Sequence, residues 1–66
     1  MNSTEAVVRS LPTARKIAFK LLRQGKYKKA SSMAHDVLLQ VPKRVKTPDV
    51  DALHVIAATA YYAATV

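Results

Sequence analysis

Residues 14–42 read ARKIAFKLLRQGKYKKASSMAHDVLLQVP, and this stretch decides the fold. Its first part places apolar side chains at Ala14, Ile17, Ala18, Leu21 and Leu22. That i, i+3, i+4, i+7, i+8 spacing is the stripe of an amphipathic helix. Gly25 follows the last apolar residue, where a helix stop favours a side chain that tolerates a left-handed backbone. A second stripe runs through Ala30, Met33, Ala34, Val37, Leu38 and Val41, and Pro42 ends it. Proline lacks the N–H that would continue the ladder. Only Gly25 and Lys26 separate the two stripes. A connection that short makes the helices antiparallel neighbours.

On the C-terminal side, Lys43 to Pro48 is basic and without periodicity, so it reads as a loop. Asp49 and Asp51 then suit the first turn of a third helix, where carboxylates complement the positive end of the dipole. Pro48 fits just before that turn or inside it. The stripe here is Leu53, Ile56, Ala57, Ala60 and Tyr61, but Val55, Ala58, Tyr62, Ala63 and Ala64 make the other faces apolar too. A helix apolar nearly all round is one covered on more than one side. On the N-terminal side, Pro12 fits the first turn of a helix over 12–24, where its missing donor costs nothing. Residues 1–11 read either as an arm or as a short helix carrying Val7, Val8 and Leu11, with Asn2 and Glu5 as its capping box. No strand-like alternation occurs. The fold class is all-α: an antiparallel hairpin, 12–24 and 27–41, plus a third helix, 49–65, in a single domain.

Composition narrows what such a domain does. The chain has 66 residues, 11 Lys or Arg against 4 Asp or Glu, a formal charge of +7, one Gly and no Cys. A domain of this size buries only ~60% of its unfolded surface. Its core supplies about 3–5 kcal/mol, so further support is expected. Lack of cysteine removes disulfides, a thiolate nucleophile and a cysteine-based zinc site. Residues 1–11 lack the apolar run of a secretory signal, and the most apolar window, 52–66, is shorter than the ~20 residues of a membrane span. The expectation is a soluble cytoplasmic protein.

The run RQGKYKKA, 23–30, carries Gly25, Tyr27 and Ala30 at the spacing of the turn and second-helix entry of the tetratricopeptide repeat. Ala14, Ile17, Ala18 and Leu21 take the slots where that repeat has a large residue, Leu, Gly and Tyr. Ala34, Val37, Leu38 and Pro42 fall on its later core and terminator slots. The chain from 13 to 41 thus resembles one tetratricopeptide repeat. Leu53, Ile56, Ala57 and Ala60 resemble the start of a second, 39 residues on from Ala14 rather than the usual ~34. Small Ala14 and Ala34 depart from the bulky residues usual at those positions. An ordinary three-helix bundle with a tight turn has the same class and boundaries. Stacked pairs need about three repeats for stability. The third helix therefore calls for cover by the N-terminal segment, a second copy or a partner, and homodimerisation through it is one expectation.

Catalysis is not expected. His35 and Asp36 point in different directions on a helix, and Asp51 with His54 makes at most one surface pair. Neither supplies the three or four convergent ligands of a zinc site, and one glycine cannot build a phosphate loop. No cofactor or metal is implied. What remains is charge. From Arg9 through Lys29 eight basic residues follow one another without an acid, and Lys16, Lys20 and Arg23 share a helix face. Like charges at i, i+4 cost stability, so a one-sided excess points to a binding surface.

The repeat resemblance implies a groove, lined by the first helix of each pair, that holds peptide segments of another protein. Carried over, that face includes Arg15, Lys16, Phe19, Leu22 and Arg23, joined by His54, Val55, Ala58, Tyr61 and Tyr62. A carboxylate clamp is not expected, because Phe19 and Val55 stand where asparagines are wanted. The partner-binding residues expected are Arg15, Lys16, Phe19, Lys20, Arg23, His54 and Tyr62, set against an acidic segment of a larger protein. The alternatives are nucleic acid on the basic face, or a small phage-type transcription regulator that docks on RNA polymerase.

Overall fold

The computed structural model of the chain describes residues 3–65. Helix α1 spans Ser3–Arg23, α2 spans Tyr27–Gln40 and α3 spans Pro48–Thr65, with no strand among the described residues. Each helix packs against the other two, and α2 with α3 forms the most extensive contact. The all-α hairpin with a third helix is therefore the architecture.

The turn between α1 and α2 is closed by the backbone itself. Gly25 has φ +78°, the left-handed conformation that costs an L side chain about 1–2 kcal/mol. Lys26 N–H donates to Leu21 O at 3.0 Å and Gly25 N–H to Leu22 O at 3.1 Å. These 6→1 and 5→2 bonds satisfy two carbonyls that the end of α1 would otherwise leave open. At the other connection, Thr47 caps α3. Its hydroxyl accepts from Val50 N–H at 3.3 Å and its carbonyl from Asp51 N–H at 3.2 Å. Pro48 thereby takes the first helical position, where its fixed φ is already suitable.

The first helix begins earlier than expected. Pro12 lies inside α1, not in its first turn, and the helix runs unbroken from Ser3. An internal proline removes the bond to the carbonyl four residues back, which is that of Val8, and costs ~3 kcal/mol or more. Pro12 is on the exposed side, whereas its neighbour Leu11 is wholly buried. Burial of Leu11 offsets part of that cost and holds the helix through the proline. The Asn2 half of the expected capping box lies outside the described residues, and the Glu5 carboxylate instead accepts from Arg9 at 2.7 Å. None of the residues from Thr4 to Ser10 is buried, so the first two turns of α1 stand outside the core.

That core is small. Leu11, Ala18, Ala34, Val50, Leu53 and Ile56 form its centre, with Leu22, Met33, Val37, Leu38, Val41 and Val45 packed around it. Ala14, Ala30 and Ala60 are also buried. Ile17 and Tyr61, which the periodicity assigns to buried stripes, are exposed. Each stands one residue, about 100° of helix rotation, from the buried Ala18 and Ala60.

Two substitutions test this arrangement. Pro12→Ala should raise stability by about 1–3 kcal/mol in urea unfolding followed by circular dichroism, whereas a helix starting at Pro12 would show no gain. Leu53→Ala should cost about 2–5 kcal/mol, nearly all the stability a domain of this size holds, and abolish the cooperative transition at 25 °C.

Candidate interaction surfaces

Helical spacing gathers four of the expected binding residues on the outer side of α1. Lys16, Phe19, Lys20 and Arg23, with Gln24, line one shallow depression of about 370 Å³. The Arg23 guanidinium carbon lies 5.8 Å from the centre of the Phe19 ring. At that distance the cation is drawn to the negative face of the ring, and the contact holds both side chains in place. Phe19 remains 47% exposed. No acid neutralises this face: the ion pairs among the described residues are Glu5–Arg9 and Arg15–Asp49. The surface can therefore accept an anionic group beside an apolar one.

Arg15 has a different task from its neighbours. Its Nε donates to Asp49 Oδ1 at 2.7 Å, with both side chains partly shielded. The pair ties the middle of α1 to the first turn of α3. Asp49 also faces the positive end of the α3 dipole, so the carboxylate is stabilised from two directions. Of the expected binding set, Arg15 is the member whose charge is paired with an acid within the fold.

A second and larger surface lies between α2 and α3. This groove has a volume of about 1050 Å³, and Leu38, Leu39, His35, His54, Ala58 and Tyr61 are among its lining residues. Lys28 stands at one end and Lys43 at the other. His54 belongs to this groove and not to the depression on α1, while Tyr62 lines neither and is exposed. The expected set thus divides: four residues together on α1, Arg15 paired with Asp49, His54 in the groove and Tyr62 apart. The expected binding set left out His35, Leu39, Lys28 and Lys43, which line the groove. Leu39 was detectable, since it follows Leu38 of the buried stripe and has no place on that stripe itself.

The His54 ring makes no ion pair with Asp51, and no three His, Cys, Asp or Glu side chains among the described residues converge to hold a metal ion. No helix among them is long and apolar enough to cross a membrane. No protein-family model, curated protein or solved structure matches the chain.

The clasp between α1 and α3 is open to a direct test. In a double-mutant cycle of Arg15→Ala and Asp49→Ala, urea denaturation should give a coupling energy of about 1 kcal/mol. Additive single effects would show that the pair contributes nothing.

Proposed function

We propose that the chain is a non-enzymatic protein–protein interaction module, which docks the outer face of α1 on an acidic segment of a larger cytoplasmic protein and so regulates it. The observation that carries this reading is the single depression shared by Lys16, Phe19, Lys20 and Arg23 with no acid beside it. Three cations supply attraction for carboxylates, and exposed Phe19 supplies an apolar contact for an anchoring side chain of the partner. Interfaces are organised in this way, with an aromatic or Arg anchor at the centre and charges at the rim. Ordering by Arg23 lowers the entropic cost of using Phe19 as that anchor.

The resemblance to a tetratricopeptide unit belongs to the same proposal. A helical hairpin with a glycine turn, followed by a third helix packed on both, is compatible with one unit and the start of a second. In this chain the basic depression would serve where such repeats use a concave groove. Nucleic acid is the alternative ligand for a basic face, but α1 offers one aromatic ring rather than a stacking platform.

The reading is tested by fluorescence anisotropy with a labelled peptide rich in Asp and Glu and carrying one Leu. Micromolar binding is expected, weakened at least ~10-fold by Lys16→Glu with Arg23→Glu and several-fold by Phe19→Ala. Arg15 is left intact because its reversal would set two carboxylates against each other. Equal binding by the double variant would overturn the proposal, and tighter binding of single-stranded DNA of equal charge would move the assignment to nucleic acid.

A further inference from the structure

The groove between α2 and α3 has no role in the reading above, yet two exposed large apolar side chains, Leu39 and Tyr61, line it. Leu39 on α2 is 71% exposed and Tyr61 on α3 66% exposed, and both line it together with Ala57 and Ala58. Its ends are charged. Lys28 lies at the end where the start of α2 meets the last turns of α3, since Lys28 and Lys29 border a hollow with Ala63 and Ala64. An apolar segment that carries an acidic group at the Lys28 end complements this groove.

The sequence contains such a segment. α3 is 18 residues long, about 27 Å, and the 14-residue α2 that walls the groove is about 21 Å. It carries no Lys or Arg, is apolar on nearly all sides, and has its only acids, Asp49 and Asp51, in the first turn. Asp49 is engaged by Arg15, whereas Asp51 is exposed and in no ion pair.

We propose that the groove is filled by α3 of a second copy of this chain, running antiparallel to α3 of the first. A two-fold axis near Ala57 and Ala58 allows close approach, because both side chains are small. In that arrangement the first turn of one α3 lies at the last turn of the other, where Lys28 stands. Asp51 of each copy thus meets Lys28 of its neighbour, twice over. Tyr61 of each falls opposite His54 of the other, and Leu39 is covered. A two-fold interface requires self-complementarity of this kind, with the same patch supplying both halves of every contact. The basic depression on α1 lies outside the interface, so the dimer displays two.

Light scattering on the full chain after size exclusion tests the proposal. At about 100 μM the mass should be twice the 7.2 kDa of one chain, falling towards one on dilution. Tyr61→Glu should raise the dissociation constant at least ~10-fold, and Leu39→Lys, on the opposite wall, should do the same. Asp51→Lys and Lys28→Glu should each weaken the dimer several-fold, and the two together should restore it. All four side chains are exposed, so the fold survives, as circular dichroism will verify. A mass of one chain up to about 1 mM would leave the groove to a helix of another protein and overturn the proposal. A dimer that ignores Tyr61→Glu and Leu39→Lys, or whose charge reversals fail to compensate, would be built on another face and overturn it equally.

Discussion

The structure depends on how closely three helices can approach through alanine. Ala14, Ala18, Ala30, Ala34 and Ala60 are all buried, while Leu11 and Leu53 are the largest side chains that are wholly so. A core of small residues gains less from burial per residue than one of leucine and phenylalanine, since transfer energy follows apolar area. It compensates by bringing backbones near, where each side chain meets more atoms. Close approach leaves little freedom in register. Leu11 and Ala18 of α1 and Ala34 of α2 share one cluster with Val50, Leu53 and Ile56 of α3, and the relative positions of the three helices follow from that fit.

Much of the fold was legible because its signals are local. Gly25 and Pro42 punctuate the two stripes, and the short gap between them leaves one geometry for the hairpin. Ala14 and Ala34, which depart from the bulky residues of the tetratricopeptide pattern, are buried at helix contacts. The start of α1 was not legible. Proline is usually a boundary, and the burial of Leu11 in the core, a contact made through the tertiary structure, is not visible in the local pattern. Thr47 as the cap of α3 was missed as well, although a Thr-Pro-Asp run is a recognisable helix start.

The candidate surfaces were legible in part for the same reason. Lys16, Phe19, Lys20 and Arg23 come together through helical spacing alone, so one element was enough to see them. Arg15 has the same spacing but a different fate, because its partner Asp49 stands on another helix. Nor does periodicity reveal a groove between two helices. It marks which residues leave the buried stripe, as with Leu39 and Tyr61, but not which of them face one another across a gap.

The distribution of charge has a consequence of its own. α3 has no basic residue and half of the acids, while α1 and the first turn of α2 hold most of the cations. Such a molecule, about 17 Å across its narrowest dimension, carries its charge unevenly. In the field of an anionic body it turns before it touches, presenting α1 first. This acts on the rate of encounter more than on the strength of the final contact. The effect is largely screened beyond ~8 Å at physiological ionic strength. The chain is therefore aimed only over its last approach, a distance smaller than its own width.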